Sequence, residues 1–287
     1  MYRLSLIIII LLSLETLSAQ DYKDFYYEVY LGNKLYHQGN YSEALAQYEA
    51  ASEKVDFVST SYLQKFLKAA KKDKNETLQK KYEFQIERQK ECPVEYAHIG
   101  ARLDSLVKED QRVRTKNFKL NKYYRKHIDN KAVHNSPKFL RAKEASLDWE
   151  RTDSLNVQIL LSMFEEHGFL GESKIGSERS SDLFLLLLHF DKDSSNVVLK
   201  PILDKALKDS QINPGYYAII LDRHLFACNL PQKFYRWPML RSDPKLSEEE
   251  KNEVLKSRED IGLYGTDFTI LGKRGHWQVV NSWSATD

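Results

Sequence analysis

The stretch "DFYYEVYLGNKLYHQGNYSEALAQYEAASEKV", Asp24 to Val55, decides how this chain folds. Two runs with helical periodicity flank Gln38–Gly39–Asn40. Phe25, Tyr26 and Tyr30 mark the first run, and Ala44, Leu45, Tyr48 and Ala51 the second. Gly39 reads as a C-terminal helix stop, and Ser42 as the expected cap of the next helix. Gly32, Ala44 and Ala51 have little or no side chain, so two antiparallel helices can approach closely there while Tyr48 fills the gap between them.

This order of small, large and turn residues resembles a tetratricopeptide repeat, a 34-residue helical hairpin. A second, weaker unit comes next. Leu63, Phe66, Leu67 and Ala70 stripe one helix, "KKDKN" makes a turn at Lys71–Asn75, and Leu78, Tyr82 and Ile86 stripe the return. Repeats of this class bury their ends only against further repeats or a neighbouring domain. The region 21–92 is therefore expected to pack against the domain on its C-terminal side. The resemblance implies a groove for a protein or peptide partner, with a scaffolding extension as the alternative.

Ahead of the repeat, Arg3, the apolar run Leu4–Leu14 and the small residue Ala19 have a secretory signal layout over residues 1–20. The run is about 11 residues, short of the roughly 20 that a membrane-spanning helix needs. The expected location is periplasmic or secreted. Lys and Arg total 43 against 41 Asp and Glu, a formal net charge of +2, so no global field favours nucleic acid. Cys92 and Cys228 are too few for a disulfide framework, and a single bridge between them is left open. They also rule out a four-thiolate zinc site. The histidines show no HExxH spacing, and neither a glycine-rich phosphate loop nor a GxSxG elbow occurs. "DKDSSN" at Asp191–Asn196 lacks the glycine and the glutamate of a calcium loop. No metal and no cofactor are expected.

Residues 98–287 read as a helical domain, making the chain all-α. Ile99, Leu103, Leu106 and Val113 stripe one helix, and Leu155, Ile159, Leu160 and Met163 another, ending at Gly168. Leu183–Leu188 is apolar all round, as in a central covered helix. The next helix, Val197–Leu207, should hold Pro201 in its first turns. Asn213–Pro214 and Ser247–Glu250 are N-terminal signatures of two more. "FTILGKRGHWQVV" suggests a small C-terminal β-hairpin turning at "GKRG". Between the first two helices of the domain, Arg112–Lys143 reads as a basic insertion: eleven Lys or Arg against Asp129, with Phe118, Tyr123, Tyr124 and Phe139 interleaved. An anionic polymer, lipid headgroups or an acidic partner suit it better than nucleic acid outside the cytoplasm. A solvated helical extension is the plainer reading.

Several short signals also fall in order: "DQRVR" (Asp110–Arg114), "HGFLG" (His167–Gly171), a helix ending in His189, "LDR" (Leu221–Arg223), "PQKFY" (Pro231–Tyr235) and "REDIGL" (Arg258–Leu263). This order resembles a bacterial secreted domain of unknown function, sometimes found behind helical repeats. Leu170 stands where that pattern has proline, and Tyr235–Arg236 departs from its Tyr-Gly-Thr. The resemblance brings His189, Asp222, Arg223, Gln232 and Arg258 together as candidates. In the functional arrangement Asp222 orients His189 to move a proton while Arg223, Gln232 and Arg258 bind an anionic group. In the structural one the same groups tie helices together, since a buried unpaired charge is costly. The expectation is an exported, envelope-associated binding or interaction protein, with a hydrolase-like enzyme using a His/Arg site as the alternative.

Overall fold

Asp24–Val55 folds as a helical hairpin of α1 (22–37) and α2 (Tyr41–Ser52), with Gly39 turning between them at φ +86°. This computed structural model describes residues 22–189, 193–236, 246–264, 266–270 and 277–281; for 193–196 and the last two segments it describes the backbone alone. Residues 1–20, expected as a signal peptide, and the expected "GKRG" turn lie outside the described residues, as does the start of "DKDSSN". Gly32 lets α1 and α2 approach: a Cβ there would stand 2.4 Å from Tyr48 Cε1. The Tyr48 ring stacks on Phe66, with centroids 4.4 Å apart, and its hydroxyl donates to Asn33 Oδ1 at 2.9 Å. Ser42 is not the cap of α2. Asn40 holds that position, and the Ser42 hydroxyl instead donates to Asp73 at the end of the next helix.

The second hairpin pairs α3 (Thr60–Asp73) with α4 (Glu76–Arg88). Lys74 turns through the left-handed region at φ 58°, and Asn75 Oδ1 accepts the Leu78 N–H as the cap of α4. Phe66 then meets Tyr82 edge-on, so the ring series Tyr48–Phe66–Tyr82 runs through both hairpins.

Two helices of 31 residues come next, α5 (Ala97–His127) and α6 (Pro137–His167), each about 46 Å long at 1.5 Å per residue. Short α7 (Glu172–Ile175), α8 (Ser177–Leu187), α9 (Asp193–Lys208), α10 (Pro214–Ala227) and α11 (Glu248–Glu259) complete an all-α fold. Strands β1 (Thr266–Ile270) and β2 (Trp277–Asn281) pair antiparallel, Phe268 opposite Val279. Asn213 caps α10, and Ser247 with Glu250 forms a capping box on α11.

Three sequence expectations change. Arg112–Lys143 is not an insertion between helices: it comprises the distal half of α5, the turn, and the start of α6. Leu155 is exposed, because the inward face of α6 runs through Asn156, Leu160, Met163 and Phe164. Pro201 lies in the middle of α9, which begins four residues earlier than the apolar pattern implies. Both cysteines are free thiols. No described helix is long and apolar enough to cross a membrane.

The two N-terminal hairpins and the helices after them share one apolar core, which runs from Tyr22 and Phe25 through Leu103, Leu160 and Leu186 to Leu263. Polar bonds cross the same boundary. Asn213 Nδ2 donates to the Tyr62 hydroxyl at 3.0 Å, the Thr60 N–H to Glu172 Oε1 at 2.7 Å, and the Ser177 N–H to the Gln89 carbonyl at 2.8 Å. Gly32→Ala should therefore destabilise the whole molecule. Helix propensity alone favours alanine by about 1 kcal/mol. Overpacking against a ring pinned by Phe66 and Asn33 costs about 1–3 kcal/mol, so a net loss is expected in chemical denaturation. A stabilised variant would show that Tyr48 moves aside freely.

Candidate functional site

The inward stripe of α5 runs Leu103, Leu106, Asp110, Val113, Asn117, Asn121, in steps of three and four. It is apolar near the core and becomes mostly polar from Asp110 onward. Across the seam, α6 offers Ser146, Asp153 and Asn156. Asp110 is fully buried, and Arg114, one turn on, donates from Nε to both its oxygens at 3.0 and 2.9 Å. The same guanidinium reaches Asp153 and lies 4.6 Å from the Trp149 ring centroid. Gln111 Nε2 donates to Asp110 Oδ2 at 2.8 Å.

His189 enters this cluster from the end of α8, where its backbone N–H bonds the Leu186 carbonyl at 2.9 Å. Its side chain is only 8% exposed. Nδ1 stands 3.3 Å from Asp110 Oδ1 and 3.9 Å from Asp153 Oδ1, without the geometry of a hydrogen bond. Burial lowers the His189 pKa below its ordinary value, and the Arg114 and Arg223 charges act in the same sense against the pull of Asp110. Burial pushes the Asp110 carboxyl up, but its interactions with His189 and Arg114 outweigh that and hold it low. His189 and Arg114 together hold Asp110 ionised. Asp110, Asp153 and His189 each offer a ligand atom within 4.8 Å of the others, the spacing of a metal site. Arg114 already bridges both carboxylates, however, so a guanidinium sits where a metal ion would have to enter.

Asp222 is not the carboxylate beside His189. Its Oδ1 accepts the backbone N–H groups of Lys233 and Phe234, both at 2.9 Å, and its Oδ2 that of Arg236 at 2.6 Å. Asp222 thus fastens the 231–236 loop to α10. Burial raises its pKa, and the three N–H groups and Arg258 partly offset the shift. Arg258, fully buried on α11, closes the same knot by donating to the Phe234 carbonyl at 3.0 Å. Burial and the nearby Arg236 charge pull its pKa to about 9, opposed by Asp222. Gln232 is buried at the start of that loop. Of the five expected residues, Arg223 is within electrostatic reach of His189, while Asp222, Gln232 and Arg258 belong to the loop knot.

Asp110, Arg114 and Asp153 were the residues missed as site members. The available signal was polar side chains at inward positions of an otherwise apolar stripe.

A third feature lies between the N-terminal hairpins and the body: a cavity of about 240 Å³. Tyr26, Tyr62 and Lys65 wall it on the hairpin side, and Phe169, Phe184 and Tyr216 on the other. Phe184 stacks on Tyr216 with centroids 4.0 Å apart. The Lys65 ammonium lies 5.2 Å from the Tyr62 ring centroid; burial lowers its pKa, with Lys68 adding to the shift. No carboxylate among the described residues pairs with it. Neither His189 nor any of the other four expected residues lines this cavity.

Two stability measurements separate these clusters. Arg258→Ala leaves the Phe234 carbonyl without its donor, removes a charge that favours ionised Asp222 and opens a cavity, and should cost roughly 2–5 kcal/mol in denaturation. For His189 the folded pKa lies below the unfolded one. As pH falls from about 6.5 the unfolded chain takes up the proton first, and stability drops. The wild type should therefore lose more melting temperature between about pH 7 and pH 5 than His189→Gln does. Equal slopes would mean that the imidazole is not held neutral.

Compared with protein-family models, with curated proteins and with solved structures, the chain matches none.

Proposed function

We propose that this is an exported, envelope-associated binding protein whose ligand seat is the cavity between the repeat hairpins and the helical body. The observation that carries the reading is the lone Lys65 ammonium in a wall of aromatic rings contributed by both regions. Such a seat suits a ligand with an apolar body and one anionic group. Its volume of about 240 Å³ is below the roughly 300–1,000 Å³ typical of drug-sized ligands. That size fits the end of a peptide: one apolar C-terminal side chain among the rings, with its carboxylate on Lys65. The resemblance of the first region to a peptide-binding repeat supports the same class of partner, and the signal layout of residues 1–20 supports export.

Calorimetric titration of the full chain with short peptides ending in a large apolar residue tests this. A free C-terminal carboxylate should bind, and the amidated peptide should bind more weakly. Lys65→Met should abolish the difference, which is worth about tenfold or more for a hydrogen bond to a charged group. Equal affinity for acid and amide would sink the reading.

One observation favours a second reading, a hydrolase-like enzyme. His189, whose pKa burial lowers, stands 3.3 Å from a buried ionised Asp110, a proximity that suits an imidazole used in general-base work. Under that reading His189→Gln and Asp110→Asn abolish turnover of an ester or amide panel, while Lys65→Met does not.

A further inference from the structure

We infer that the distal half of the α5–α6 hairpin is an arm that docks on an anionic lipid bilayer. The inference is independent of the cavity and of its ligand.

Charge is the first observation. Residues 112–143 carry eleven Lys or Arg and one acid, a formal +10, while the whole chain is +2, which leaves the remaining residues at −8. Arg112 pairs with Glu109, and Arg114 with Asp110 and Asp153. Among the described residues the other nine form no ion pair, although Lys116 acts at longer range on Glu109. From residue 112 to its end, α5 extends about 24 Å. The Debye length at physiological salt is about 8 Å, so the acidic body does not cancel the field of the arm.

Independence from the core is the second observation. Val113, Phe139, Ala142 and Ala145 are buried in the arm's own seam, yet none belongs to the main apolar cluster. The arm is held together by its two helices packing on each other. Its outer faces are left to solvent.

Those outer faces supply the third observation. Phe118 is 59% exposed, Leu140 53% and Ile128 44%, one on each helix and one at the turn. Lys119, Lys122 and Lys126 are exposed at i, i+3 and i+7, so they form one stripe of α5. Phe118 stands one turn from Lys122 on an adjoining stripe. A polyanionic chain in water would use the cations, and its bases could stack on Phe118. It would gain little from the aliphatic Leu140 and Ile128. A bilayer uses both classes: lysines at the headgroups, apolar side chains at the acyl boundary.

The test is co-sedimentation of the full chain with vesicles of phosphatidylglycerol and phosphatidylcholine, against phosphatidylcholine alone. Binding is expected only to the anionic vesicles, and it should weaken as salt rises from roughly 0.05 to 0.5 M. Lys119→Glu/Lys122→Glu/Lys126→Glu should lower the partition coefficient by about 100-fold or more. Phe118→Ser/Leu140→Ser, which leaves every charge in place, should lower it by about tenfold or more. All five positions are exposed, so circular dichroism melts of both variants should match the wild type. Absence of vesicle binding overturns the inference. So does binding indifferent to the Phe118/Leu140 pair but matched by heparin, which would mark a polyanion site. Dimerisation in light scattering that is lost on charge reversal, without vesicle binding, overturns it in favour of a second copy's acidic body.

Discussion

Two helical hairpins leave an apolar face uncovered at each end, and the fold depends on how this chain covers one of them. The Tyr48–Phe66–Tyr82 ring series gives the hairpin region its own spine, made possible by Gly32 beneath Tyr48. The exposed side of α1 and α3 is then completed by helices from much later in the chain, within one continuous core. Tyr26 packs against Gly262, and Tyr62 accepts a bond from Asn213. The two regions are therefore a single mechanical unit. The cavity holding Lys65 lies where their facing surfaces do not interlock completely.

Polar groups inside a helical protein are tolerated only where they satisfy one another. The chain meets this condition in two ways. Around Asp222 the partners are backbone N–H groups and a buried arginine, an arrangement that fixes a loop. Around Asp110 the partners are side chains from α5, α6 and the end of α8, and His189 Nδ1 is left without a hydrogen bond. The first engages both oxygens of Asp222 with backbone groups and reads as structure. The second retains unused capacity, which is why it carries the enzymatic alternative.

The near-zero net charge conceals a separation of charge along the molecule. A basic rod and an acidic body of nearly equal magnitude give a total of +2, which by itself suggests no charged partner. What matters to an approaching surface is the local field within a Debye length. On the arm, with eleven cations against Asp129, that field is positive.

Local sequence determined the helices, because helical periodicity, caps and stops act within a few residues. The stripe of α3, the proline and asparagine opening α10, and the capping box of α11 are all readable in order along the chain. The close helix approach at Gly32 was legible for the same reason. Boundaries that depend on packing were not: the long uninterrupted run of α5, the outward turn of Leu155 and the mid-helix place of Pro201 reflect which neighbours are present. The candidate site was legible only in part. His189 and Arg223 come from motifs along the chain, but Asp110, rather than Asp222, stands beside the imidazole. Spacing along a chain specifies which residues share one helix face. Only the docking of α8 against the α5–α6 seam decides which carboxylate a histidine from a third helix meets.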